Sequence, residues 1–412
     1  MPKITPFKAI RPEKNVAAKV AALPYDVYNR EEATKIVAKE PLSFLKVDRA
    51  ETAFSEDVST YDDQVYQRAK TVLQEMIREG IFITENNDCY FIYELTMAEH
   101  SQTGIVACSA VSDYQDNLIK KHENTRPEKE LDRIRHIDIT NAHTGPIFMA
   151  YRSCEIINKI VAAEKKAEPE YDFITDDGIK HRVWVVNESE VIEQLHKAFT
   201  DIPVAYIADG HHRCASAVRV ALKRQTENPG HTGNEEYNRF LAVLFPDNQL
   251  KILPYNRVVA DYNGLSRGEL LAAIEKQGFL VEFLGREAYA PERKGCFGMY
   301  LADGWYRLTA KPELLSADPV NGLDVAILQD YLLRPVLGID DPRVDKRIDF
   351  VGGIRGLSEL EKRVATDMQA AFSMYPTSVG ELLAVADAGL LMPPKSTWFE
   401  PKLRSGLFIH AL

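Results

Sequence analysis

Cysteine is scarce in this chain: Cys89, Cys108, Cys154, Cys214 and Cys296 are five among 412 residues, the count is odd, and none forms a C-x-x-C pair. That argues against a disulfide framework and against a zinc site built on thiolates, and fits reduced thiols. Long apolar runs are absent as well. None approaches the length of a membrane span, and the first residues, Met1 to Phe7, lack the apolar core of a signal peptide. A cytoplasmic protein without membrane contact is expected. Basic residues are not in excess. The net charge of −11 disfavours broad phosphate-backbone binding, so DNA is not an expected partner, although a local basic pocket is allowed. Internal repeats, low-complexity tracts and H-x-x-x-H or H-E-x-x-H spacings are missing too.

What is present concentrates at one place. Pro203–Ala208 is apolar, and Cys214–Leu222 suits a helix. Between them Asp209-Gly210-His211-His212-Arg213 packs an acid, a glycine, two histidines and an arginine into five positions. The pattern reads as strand, tight turn and helix. A helix start offers unpaired N–H groups and partial positive charge to an anion. Gly210 allows close approach to the backbone, and Arg213 can grip a phosphate through two hydrogen bonds. Asp209 would repel a bare phosphate, so it must serve otherwise, as a cap, a metal ligand or a general base. The bland alternative is a capped helix behind a solvated turn. His211 and His212 are adjacent and point about 100° apart on a helix, so they do not share one ion easily. Cys214 falls on the packed face of that helix.

Two further charged clusters stand out. Lys120–Glu130 is dense in charge; Pro127 suits a first helical turn, Thr125 could cap it, and His122, Glu123 and Arg126 remain in the preceding loop. Lys395, Ser396, Thr397 and Lys402 resemble a small anion cradle, but without the upstream glycines of a P-loop.

Elsewhere, residues 1–50 read as irregular and 55–80 as an amphipathic helix closed by Gly80. Strands are expected at 89–96, 104–113, 146–151, 240–245, 251–259, 279–284, 296–308 and 406–412, and helices at 155–165, 188–199, 267–278 and 323–337. The polar stretch 225–238 is the best boundary by composition, giving regions 1–238 and 239–412, with one interleaved unit as the alternative. Strands and helices mix without strict βαβ alternation, so the expected class is α+β, with mixed sheets and flanking helices.

The Asp209–Arg213 motif, the charged block from His122 to Arg133, and Met392–Lys402 together resemble a widespread prokaryotic family of unknown function, over nearly the whole chain. The motif is also similar at all five positions to that of the archaeal free serine kinase, a relative of the ParB partitioning protein and of sulfiredoxin. This resemblance implies a phosphate-binding strand-turn-helix of that superfamily, with an additional C-terminal α+β region. Two departures qualify it. Glu123-Asn124-Thr125-Arg126 spells a ParB box but precedes the turn, and Cys214 falls outside the turn where sulfiredoxin needs a cysteine. The implied activity is transfer of phosphate from ATP or ADP, with Mg²⁺, to a small hydroxylated metabolite, serine among the candidates. Asp209 would be base or metal ligand, with His211 and Glu123 also catalytic. Gly210, His212, Arg213, Arg126, Lys395, Ser396, Thr397 and Lys402 would hold phosphate. A ParB-like nucleotide-binding regulator and a metal-dependent phosphoester hydrolase are the alternatives. A homodimer is compatible with this reading.

Overall fold

A computed structural model describes residues 1–412 and has two compact units, Met1–Leu250 with Pro401–Leu412, and Lys251–Glu400. The first unit is built on a nine-stranded mixed sheet. Its strands are β1 (Ile4–Thr5), β2 (Tyr90–Met97), β3 (His100–Ala110), β4 (Ile119–Lys120), β5 (Ile147–Tyr151), β6 (Tyr171–Ile174), β7 (Lys180–Val186), β8 (Ala205–Asp209) and β9 (Arg239–Pro246). The order is β4-β8-β5-β9-β3-β2-β7-β6, with β1 on β3. β9 lies parallel to β5 and antiparallel to β3. Residues 239–246, assigned by composition to the second region, are thus the centre of the first unit's sheet. A central strand is buried on both faces, and Phe240–Phe245 are all buried accordingly.

One pairing decides the site. β4 runs parallel to β8, with Ala205 opposite Ile119 and Tyr206 opposite Lys120. Chain leaving the end of β4 therefore emerges beside chain leaving the end of β8. In open parallel α/β sheets ligands gather at the carboxyl ends of strands, and this parallel pair places two charged segments at that end.

Three helices matter here: α1 (Asp63–Arg78), α2 (Pro127–Thr140) and α3 (His211–Glu227). α1 buries Val65, Tyr66, Ala69, Val72, Leu73 and Met76, the spacing of one helical face. Asp62 caps its start, and Gly80 at φ +75° turns the chain after its end. Val58 and Tyr61, which the sequence pattern included, precede the helix. α2 starts with Pro127, but Thr125 does not cap it. Arg126 occupies the cap position, and the Thr125 hydroxyl donates to Glu130 at 2.8 Å. The first fifty residues are more regular than their prolines suggest. Arg30–Lys39 is a helix opened by an Asn29–Glu32 capping box.

The last twelve residues return to the first unit. Ser405 and Ala22 exchange backbone hydrogen bonds, and Ile409–Ala411 pairs with both Ala9–Pro12 and Ala142–His143. No helix is long and apolar enough to cross a membrane.

The second unit holds a six-stranded sheet of β10 (Tyr255–Val259), β11 (Phe279–Gly285), β12 (Cys296–Leu301), β13 (Gly304–Ala310), β14 (Ile348–Gly352) and β15 (Ala370–Met374). Its order is β11-β13-β12-β15-β10-β14. The single strand expected at 296–308 is a hairpin, because the chain turns tightly between Leu301 and Gly304. The helix expected at 323–337 is α-helical only over Asp324–Leu328, then widens to a π-helix over Gln329–Leu333. Both units are α+β with mixed or antiparallel sheets.

Candidate functional site

β8 passes into α3 through a single residue. Gly210 takes φ +92°, ψ 30°, a conformation that costs an L side chain strain. A bulge precedes it: Ile207 pairs with Met149, yet Asp209 pairs with Phe148, so Ala208 is extra. A bulge increases twist and re-aims the following side chain, here Asp209. No side chain caps α3, so its first-turn N–H groups keep their capacity for an anion.

Asp209 accepts the Gly210 N–H at 2.9 Å through one oxygen and meets Lys402 Nζ at 3.3 Å through the other. It does not reach the amides of the first helical turn as a cap would. Desolvation alone would raise its pKa, but the charges of Lys402 and Arg213 and the Lys402 hydrogen bond outweigh it and hold the carboxyl well below the usual carboxylate range. The group is a firm anion at neutral pH and a poor proton acceptor, which suits a cation-holding role better than that of a base.

Arg213 folds back over the turn. Its guanidinium atoms lie 3.0, 3.1 and 3.2 Å from where a Cβ on Gly210 would stand. It also donates to the Pro146 carbonyl. A small cavity of about 30 Å³, room for a water or two, lies beside it, lined in part by Tyr25, Asp48, Arg133, His136, His143 and Ser405. Neither Asp209 nor the two motif histidines line this cavity, so Arg213 is the motif residue that joins turn and cavity.

A buried polar network continues from Arg133 of the cavity lining. Tyr66 Oη donates to Asp132 at 2.8 Å, and Arg133 Nε donates to the other Asp132 oxygen at 2.9 Å. The Arg133 guanidinium stacks 4.0 Å above the Tyr25 ring. Thr144 donates to Asp48 at 2.8 Å. Burial, then the charge of Arg133, lowers His136 to about 4, so it is neutral and faces the Val47 carbonyl at 3.2 Å.

The loop after β4 packs against the start of α3, as the parallel pairing requires. His122 and His211 meet edge to face at 4.5 Å between ring centres. Glu123 Oε2 lies 3.8 Å from His211 Nδ1. The Arg126 N–H donates to His212 Nε2 at 3.0 Å. His212 therefore accepts from the backbone at the start of α2 with one ring nitrogen, and burial keeps it neutral for that purpose. The two segments are joined again by Ser216, which donates to the Glu130 carbonyl, and by Arg219, which pairs with the Glu130 carboxylate.

The first unit thus brings together Glu123, Arg126, Asp209, Gly210, His211, His212, Arg213 and Lys402. Lys395, Ser396 and Thr397 belong to the second unit, where local bonds order them. The Ser396 hydroxyl donates to the Pro393 carbonyl at 2.6 Å, its own carbonyl accepts from Thr377, and the Lys395 carbonyl accepts from Arg257. Cys214 is buried in α3, and desolvation pushes its thiol up, which leaves it a packing residue. Sequence reasoning missed Asp48, Tyr66, Asp132 and Ser405. The only trace of them was an acid next to Arg133 on the inner face of a helix.

Fold and site together define an α+β protein with an uncapped, arginine-bearing helix start at the carboxyl end of parallel strands. The chain belongs to the family described as Protein of unknown function (DUF1015), whose model matches residues 4–326. No curated protein matches. Solved structures that overlap it include a free serine kinase mutant in complex with ADP, 12% identical, covering 74% of this chain and 92% of that one at a TM-score of 0.36. A conserved hypothetical protein from Pyrococcus furiosus is 13% identical, with 74% and 94% covered and a TM-score of 0.34. A C-terminally truncated SbnI from Staphylococcus aureus is 10% identical, with 73% and 85% covered and a TM-score of 0.37.

Proposed function

We propose that this protein is a nucleotide-dependent phosphotransferase acting on a small hydroxylated metabolite such as serine. The observation that carries the reading is the Gly210 turn. An uncapped helix start, Arg213 folded over it and the Asp209–Lys402 pair form a cradle for a phosphate and its counterion. The likeness of the motif to that of the free serine kinase points the same way; the low structural overlap adds nothing to it.

Phosphoryl transfer asks mainly for positioning and charge neutralisation. The α3 amides, Arg213 and Lys402 would bind phosphate oxygens. Asp209 fits Mg²⁺: it is ionised, part-exposed and a hard oxygen donor, and one carboxylate with phosphate oxygens is a usual Mg²⁺ environment. Such an ion would supply charge neutralisation at the transferred phosphate. Glu123, half-exposed beside His211, is the carboxylate that would take the acceptor proton.

The test is calorimetry with ATP and ADP, with and without Mg²⁺, followed by detection of phosphoserine when serine is added. Arg213→Ala should weaken nucleotide binding by about 1.5–3 kcal/mol, the value of a charge-assisted contact. Absence of nucleotide binding by the intact protein sinks the reading, and binding without turnover makes the protein a regulator instead. Unchanged nucleotide affinity in Lys395→Ala would remove Lys395, Ser396 and Thr397 from it.

A further inference from the structure

His122 is the most anomalous side chain in the first unit. It is only 2% exposed, and neither ring nitrogen makes a hydrogen bond. The Ile207 backbone lies near, without good bonding geometry. A buried imidazole normally satisfies at least one nitrogen, since an orphaned buried polar group costs about 1–3 kcal/mol. The groups around it explain the anomaly. One ligand atom each from His122, Glu123 and His211 lie within 4.8 Å of one another.

We infer that His122, Glu123 and His211 form a binding site for a divalent transition-metal ion, with Zn²⁺ the best-suited occupant. Two imidazoles and a carboxylate are a zinc donor set, and imidazole disfavours Mg²⁺. His211 turns Nδ1 toward Glu123, with Nε2 at 3.5 Å from the His122 backbone N–H, and a neutral imidazole has a nitrogen lone pair for a cation. Ligand atoms about 2.0–2.2 Å from a common zinc stand roughly 3.3–3.6 Å apart in a tetrahedron, so the three groups need to close by under about 1 Å each. Three protein ligands leave a fourth position open for water or a substrate oxygen, the mark of a reactive rather than a structural zinc site.

The site is distinct from the Mg²⁺ position at Asp209. Asp209 is engaged by Lys402, and its negative charge acts on both histidines from outside the cluster. The inference does not depend on phosphoryl transfer, because it rests on the three ligands alone.

The experiment uses the untagged full chain, stripped of metal and then titrated with Zn²⁺ and Co²⁺ in the absence of nucleotide. Elemental analysis after dialysis should find one retained equivalent, and bound Co²⁺ should show the visible bands of low coordination number. Glu123→Gln and His122→Gln should each weaken binding by at least about tenfold, while Glu128→Gln, on the exposed side of α2, should not. Glu123 is half-exposed, so its variant decides the question if His122→Gln fails to fold by circular dichroism. Loss of all metal on dialysis of the wild type, equal retention in both ligand variants, or displacement by excess Mg²⁺ would each overturn the assignment. Because no nucleotide is present, failure here leaves the phosphotransferase reading standing, whereas success reassigns Glu123 from proton acceptor to metal ligand.

Discussion

Replacing Gly210 with alanine tests the turn on which the site is built. Two costs add. The first is the backbone: φ +92°, ψ 30° belongs to the left-handed side of conformational space, which costs a residue with a Cβ roughly 1–2 kcal/mol. The second is steric. The new methyl would stand 3.0–3.2 Å from three atoms of the Arg213 guanidinium, tighter than a normal contact. The arginine tip is flexible and can yield, so this part should cost under about 1 kcal/mol. The sum is about 1–3 kcal/mol, or a loss of roughly 2–4 °C in melting temperature for each kcal/mol in a unit of this size. Denaturant unfolding, followed by circular dichroism, measures it. A double-mutant cycle separates the parts, since Arg213→Ala removes the collision but not the backbone strain. Gly210→Asn should cost less than Gly210→Ala, because asparagine tolerates positive φ. An unchanged midpoint in Gly210→Ala refutes the left-handed turn. An identical cost with and without Arg213 refutes the guanidinium packed over it.

Three further outcomes are expected. Asp209→Asn should keep the hydrogen bond from the Gly210 N–H and most of the stability, yet reduce Mg²⁺-dependent turnover by on the order of 100-fold or more, because the charge that would hold the cation is gone; full activity in a phosphoserine assay would reduce Asp209 to a structural acceptor. Stability should fall as pH drops from about 6.5 toward 4. His122 and His136 are depressed to about 4 when folded, chiefly by burial, so the unfolded chain binds more protons across that window and stability rises with pH. His136→Gln should flatten the slope measured by urea unfolding at several pH values, and an equal slope would discount its burial. Tyr66→Phe removes a donor to the buried Asp132 and should cost about 1–3 kcal/mol in the same assay; a neutral result would mean that solvent already satisfies Asp132.

The sequence by itself determined whatever depends on neighbours within about one helical turn. The apolar run before Gly210 and the helix-forming run after it define β8, its turn and α3, and they put every ionisable group of the motif where the strand ends. Pro127 and the acids after it mark the start of α2, and the spacing of Val65, Ala69, Val72 and Met76 marks the buried face of α1. The charged loop at 122–126 was legible as a candidate, but its place was not. Nothing near Ile119 states that it will lie parallel to Ala205, and that pairing alone carries His122 and Glu123 to His211. Nor does any local signal say that the chain will return after residue 400 to set Lys402 against Asp209. The bulge at Ala208 and the missing partners of His122 are equally invisible in one dimension. The reason is physical. Helix periodicity, caps and turns are set by contacts between residues three or four apart. Strand partners far apart in sequence are chosen by which buried faces fit once loop closure has been met, and only the packed chain computes that sum.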